Sequence, residues 1–190
     1  MNKEEIVNYL EQFMDYSSYL LWGKDVSDIN PILDKNNLLC RFNTKYVFAA
    51  LNQCGHTEKY TNFHNPHSAG DAKLMNTIQM MPMFEGCFIT DVFAGDKFET
   101  KDGRDLKRLF EENKSLKDEG INEFIQRIKP LLDNGAVVIA LGGDCFNYLQ
   151  NFKVLVNKVY KIPHFSSSKS YEDRLSALKN VLEGAKDVKH

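Results

Sequence analysis

The stretch "AVVIALGGDCFNYL", residues 136–149, joins an apolar run to a helical pattern across two glycines. Its opening run is apolar almost without interruption and too short for a core helix. A strand with one wet face alternates apolar and polar residues, whereas a strand covered on both faces reads as a continuous apolar run. Gly142 and Gly143 then punctuate the chain, and a helical pattern follows from Asp144. A strand, a tight turn and a helix make half of a βαβ unit, in which the strands run parallel and helices cover the sheet.

Three further runs read as strands: "YVFAALN" (46–52), "GCFITDVF" (86–93) and "KVYKIPHF" (158–165). Each is rich in β-branched or aromatic residues and ends in polar or glycine-bearing sequence. Helical stripes lie around them. "KEEIVNYLEQFMDYSSYLL" (3–21) places Ile6, Tyr9, Leu10 and Phe13 at helical spacing, and "DAKLMNTIQMM" (71–81) supplies a second helix. "GINEFIQRIKPLLDNG" (120–135) sets Ile121, Phe124, Ile125 and Ile128 on one face, with Pro130 predicted to bend or divide it. "SYEDRLSALKNVLEGA" (170–185) opens with serine and an acidic first turn, both helix start signals. The chain of 190 residues is expected to form one domain, with residues 1–40 a helical extension packed on it.

The apolar fraction of 43% and charged fraction of 26% are those of an ordinary globular chain. A formal charge of −2 gives no global basic field to attract nucleic acid. Residues 151–190 carry eight Lys/Arg against four Asp/Glu, a local surplus that suits either a polyanion or a solvated face. The four cysteines form no CxxC pair, the start "MNKEEIVNYL" lacks the pattern of a signal peptide, and no run nears the ~18 apolar residues of a membrane span. A reduced, cytoplasmic, monomeric protein without membrane contact is the expectation.

In open α/β sheets, ligands bind outside the C-terminal strand ends. The first strand ends at Asn52 and empties into a long loop with Asn62, Phe63, His64 and His67; the second ends at Thr90 and Asp91. The third ends at the diglycine turn, and the fourth delivers His164 followed by Ser166, Ser167 and Ser168. Asn52 suits a turn cap as well as a site, Asp91 a loop acid, and His164 a structural histidine. Gly142–Gly143 suits a tight turn or a phosphate at the following helix start. Phe63 offers either a core contact or a flat face for a base. Cys54, His56, His64 and His67 are zinc-type ligands in a spacing that matches no familiar finger, so no metal and no cofactor are assigned.

Taken in order, these strand ends resemble the uracil-DNA glycosylase superfamily, in its divergent bacterial branches, from about Tyr46 to Leu182. "FAALNQ" looks like the first motif, "GCFITDVF" like the strand that normally ends in Thr-Asn, "VVIALGGDCFNYL" like the Leu-Gly strand and its helix, and "IPHFSS" like the last motif, His-Pro-Ser. The resemblance implies a three-layer α/β/α sandwich around a central four-stranded parallel sheet. It implies hydrolysis of the N-glycosidic bond of a base flipped out of DNA. Asn52 would then position the attacking water and Phe63 would stack on the base. Asp91 would meet the pairing edge of that base, and His164 would bond the oxygen that gains charge. Ser166 and Ser167 would hold a backbone phosphate.

Several positions depart from the pattern. Gln53 and Phe165 stand where proline is usual, Ala50 where glycine is usual, and Ser167, Ser168 and Lys169 supply no apolar wedge. Asp91 replaces an asparagine, and an ionised carboxylate only accepts, so it suits a ligand edge with two donors better than uracil. Two alternatives remain open: a silent nucleotide- or nucleic-acid-binding module on the same fold, and a nucleoside or nucleotide hydrolase.

Overall fold

A computed structural model describes residues 1–52, 58–100, 103–156 and 158–187. The chain starts with α1 (Lys3–Leu10) and a short edge strand β1 (Ser17–Tyr19), then α2 (Asn30–Leu33) and α3 (Lys35–Arg41). The parallel framework follows: β2 (Asn43–Asn52), α4 (Ala69–Gln79), β3 (Cys87–Phe93), α5 (Gly103–Glu112), α6 (Lys114–Asp133), β4 (Val137–Leu141), α7 (Gly143–Leu149), β5 (Val159–Ile162) and α8 (Tyr171–Asp187). The sheet order is β1-β3-β2-β4-β5, with β3, β2, β4 and β5 mutually parallel and β1 antiparallel to β3. The fold is therefore mixed α/β.

Two apolar clusters, one on each sheet face, explain the continuous strand patterns. Val47, Ala49, Val138 and Ala140 face the side covered by α1, α3, α5, α6 and α7. Phe48, Ala50, Ile139 and Leu141 face the side covered by α4 and α8. Alternate residues of β2 and β4 thus enter opposite cores, and neither face of these strands is wet.

The sheet differs from a four-stranded, all-parallel one because β1 adds an antiparallel edge. The spacing predicts one helix over residues 3–21, yet α1 stops at Leu10, a short 3₁₀ turn covers Glu11–Phe13, and Ser17–Tyr19 pair with Thr90–Phe88. Serine hydroxyls compete with helix hydrogen bonds, and an aromatic residue fits a pleated surface. Ser17 and Ser18 are fully buried, so their hydroxyls need partners. Ser17 Oγ donates to Thr90 Oγ1 at 2.6 Å, and Ser18 Oγ donates to the Tyr60 carbonyl at 3.0 Å.

Pro130 does not divide its helix, since α6 runs on to Asp133. Proline leaves the carbonyl four residues earlier without its helical donor. Here that carbonyl belongs to Gln126, and the Tyr9 hydroxyl donates to it at 3.0 Å. The neighbouring helix α1 thereby removes the electrostatic reason for a break. At the start of α8, Ser170 Oγ accepts from the Asp173 N–H while Asp173 Oδ2 accepts from the Ser170 N–H, a reciprocal cap.

Candidate functional site

The C-terminal ends of the four parallel strands open onto a cavity of about 650 Å³. Strand β2 lies between β3 and β4, so the chain leaves it toward one side and later crosses to the other. Such a switch point forms the crevice in which open α/β sheets hold ligands. Asn52, Phe63, Asp91, His164 and Ser166 all line this cavity. Ser167 instead lies with Lys161 and Lys169 along an adjoining groove that shares Gly142, Gly143 and His164 with it.

His164 is half-buried, one residue beyond the proline that follows β5. Its Nδ1 accepts from the Ser166 N–H at 3.1 Å and lies 2.6 Å from Ser166 Oγ. A backbone N–H can only donate, so Nδ1 is unprotonated and the neutral ring carries its proton on Nε2. Burial and the nearby Arg174 charge pull the histidine below its ordinary range, with Asp71 opposing. The result is a neutral imidazole with an N–H donor at the cavity. The hydroxyls placed beside it are occupied: that of Ser166 by the ring, that of Ser167 by the His164 carbonyl at 2.6 Å.

Asp91, at 3% exposure, is the most buried acid in the site. Asn62 Nδ2 donates to its Oδ2 at 2.9 Å, and no donor among the described residues reaches Oδ1. Arg127 bonds the Asp91 main-chain carbonyl at 2.6 Å and Thr90 Oγ1 at 2.9 Å, not the carboxylate. Desolvation pushes the carboxyl pKa up to about 7, against the lowering effects of Asn62 and Arg127, with Asp71 adding to the rise.

Phe63 sits on a loop held in an uncommon shape. Both Tyr60 and Phe63 have left-handed backbones, with φ of 69° and 68°. That conformation costs a bulky residue on the order of 1–3 kcal/mol and persists only where surroundings impose it. The imposing contacts are identifiable. The Tyr60 N–H bonds the Met14 carbonyl, the His64 N–H bonds the Thr61 carbonyl, and Ser18 holds the Tyr60 carbonyl. Ser18 has spent its one proton there, so His64 Nε2–H donates to it at 2.9 Å. Burial drives His64 down to about 4, which makes it a neutral strut rather than an acid or base.

Asn52 is half-buried at the end of β2, and its Nδ2 donates to Thr100 Oγ1 at 2.9 Å. Asp71 and Asp144 also line the cavity, and its described lining residues include no Lys or Arg. Gly142 turns the chain at φ 94°, and a Cβ there would lie 3.4 Å from His164 Cβ. The lining thus carries three carboxyls, of which that of Asp144 is paired with Lys107 at 3.3 Å, with one neutral histidine donor and one flat aromatic residue.

Two buried arginines escaped the sequence reading. Arg174 on α8 donates to the carbonyls of Phe165, Ser167 and Ser170, and so fixes the turn that carries His164. Arg127 does the same for the end of β3. Each occupies an inward position of an apolar stripe, Arg174 with Leu178 and Val181, Arg127 with Phe124 and Leu131. That placement was the available signal. Asn62 carries no such signal, since a polar loop accommodates asparagine anywhere.

Gln53, Cys54 and His56 lie outside the described residues. His67 is exposed, and among the described residues no group of three His, Cys, Asp or Glu is placed to hold a metal ion. No described helix is long and apolar enough to cross a membrane. No protein-family model, curated protein or solved structure matches this chain.

Proposed function

We propose that the cavity receives a nucleobase and that the protein is a DNA glycosylase-like hydrolase, built on the uracil-DNA glycosylase plan, that cleaves the N-glycosidic bond of a flipped-out base. The observation that carries this reading is the convergence of Phe63, Asp91, Asn52 and the neutral His164 on one cavity at the strand ends. Phe63 supplies a stacking face and Asp91 meets the base edge. His164 Nε2–H donates to an oxygen or ring nitrogen of the base that gains charge as the bond breaks, and a donor aimed at developing charge commonly contributes several kcal/mol, roughly 3. Asn52 has no charge with which to take a proton from water, so its role is to orient the water, and catalysis rests on stabilising the leaving group. Ser166 acts through His164, fixing its tautomer. We place the work of the protein in the cytoplasm, as a monomer; the free thiols of Cys40, Cys87 and Cys145 suit a reducing compartment.

The test is single-turnover base release from single- and double-stranded oligonucleotides that each carry one deaminated, oxidised or alkylated base. Wild-type release that is lost in His164→Ala and Asn52→Ala supports the reading. A second reading, a binding module without hydrolysis, is favoured by the Asn52 amide, which already donates to Thr100. Base binding without release from any substrate identifies that module. Faster release from free nucleosides than from any oligonucleotide identifies a nucleoside hydrolase.

A further inference from the structure

If the cavity takes a base, its innermost polar groups define which edge the base presents. Asp91 and Asn62 form a fixed pair: Asn62 Nδ2 donates to Asp91 Oδ2 at 2.9 Å, and both residues line the cavity. An ionised carboxylate cannot donate, so the Asn62 atom beside it is the nitrogen, and the amide orientation follows from the pairing. One amide hydrogen is used on Asp91 and the other remains. The groups that the pair can offer a ligand are one amide donor and two carboxylate acceptors: Asn62 Nδ2–H, Asp91 Oδ2 and Asp91 Oδ1. Asp91 is 97% buried by its 3% exposure, and Oδ1 has no donor among the described residues.

We propose that this pair selects a guanine-type base, a 2-amino-6-oxopurine, through its acceptor–donor–donor edge. O6 accepts from Asn62, while N1–H and the 2-amino group donate to the two oxygens of Asp91. Among the common bases only guanine presents adjacent N–H donors in its neutral form. Uracil, with O4 on Asn62 and N3–H on Oδ2, sets O2 against the other carboxylate oxygen, and adenine and cytosine set a ring-nitrogen lone pair against Oδ2. Hypoxanthine lacks the 2-amino group, and xanthine places an oxygen in its position. Asp71 and Asp144, the other acids of the cavity, add no donor that would favour those edges. A purine face also uses the area of Phe63 well.

This inference rests on the base-binding reading, and one experiment separates the two. Titration calorimetry at about pH 8, where an acid of raised pKa is ionised, compares guanosine, inosine, xanthosine and uridine 5′-monophosphates. It also compares five short single strands, identical except for one guanine, hypoxanthine, xanthine, uracil or cytosine. The wild type is expected to bind guanine roughly 10- to 100-fold more tightly than hypoxanthine, the effect of one hydrogen bond to a charged acceptor. Asp91→Asn keeps the bond from Asn62 but turns one acceptor into a donor, so it is expected to prefer xanthine to guanine. Circular dichroism confirms that the variant is folded. Hypoxanthine or uracil bound as tightly as guanine overturns the proposal, as does an unchanged ranking in Asp91→Asn. Binding of none of the bases by folded wild type overturns the base-binding reading, and this inference with it.

Discussion

Asp91 sits where an ionised carboxyl is costly: 3% exposed, with one amide on Oδ2 and the Arg127 guanidinium on its backbone rather than its side chain. Its pKa of about 7 in the fold lies above the ordinary value of 3.8, so the folded state holds the proton more tightly than the unfolded chain. This group's contribution to stability is accordingly greatest in acid, declines from about pH 4 to about pH 7, and is flat above. Asp91→Asn removes that decline. The variant is expected to gain melting temperature relative to wild type at about pH 8.5, with a much smaller gain at about pH 5 and a ceiling of roughly 4 kcal/mol. Thermal unfolding at the two pH values checks this, and an equal shift at both contradicts it. Gly142→Ala tests a different constraint, since φ of 94° disfavours any side chain and the new Cβ meets His164 at 3.4 Å. A loss of about 1–3 kcal/mol is expected in chemical denaturation, together with reduced base release; unchanged stability would count against a strained turn.

At the scale of elements, β1 does more for the site than its three residues suggest. Ser17 joins Thr90 and Arg127 at the end of β3, while Ser18 holds both Tyr60 and His64 of the loop that carries Asn62 and Phe63. Ser18→Ala leaves a carbonyl and an imidazole N–H without a partner, at a cost of roughly 1–3 kcal/mol. Hydrogen exchange at the amides of Tyr60 and His64 is expected to speed up, with the β2 and β4 amides little changed; equal protection in the variant contradicts the strut.

The same strand marks the limit of what was legible. Strands β2 to β5 could be read because their apolar runs are long or bounded by glycine, proline and polar residues. In "YSSYL" the burial of two serines depends on partners 46 and 73 residues away, which no local pattern encodes. Helices α2, α3 and α5 escaped for a related reason: the first two are four and seven residues long, and α5 buries only Leu106 and Phe110 among charged neighbours. The site residues were found by strand-end position, whereas Arg127, Arg174 and Asn62 act through contacts visible only once the layers are assembled.

Across the whole molecule, charge is sorted around the cavity. The described lining residues contain three aspartates and no Lys or Arg, while Lys161 and Lys169 flank the adjoining groove beside His164. A base would enter the cavity with its phosphates on the lysine side. Two phosphate contacts to a single strand give a plot of log affinity against log salt with a slope of about −1.4. The double variant Lys161→Ala/Lys169→Ala is expected to flatten that slope without changing the order of base preference. A slope unchanged in the double variant would place the phosphates elsewhere.

A nucleobase held in the cavity at the ends of the parallel strands must perturb the residues that line it. The most direct measurement is a two-dimensional amide and aromatic NMR titration with a short guanine-bearing single strand. Shifts should concentrate on Leu51–Asn52, Asn62–Phe63, Asp91, Gly142–Asp144 and the ring of His164, with contacts between base protons and the Phe63 ring. Shifts confined to Lys161, Ser167, Lys169 and the shared His164, with Asn62, Asp91 and the Phe63 ring unmoved, would mean that the protein holds phosphate but not the base.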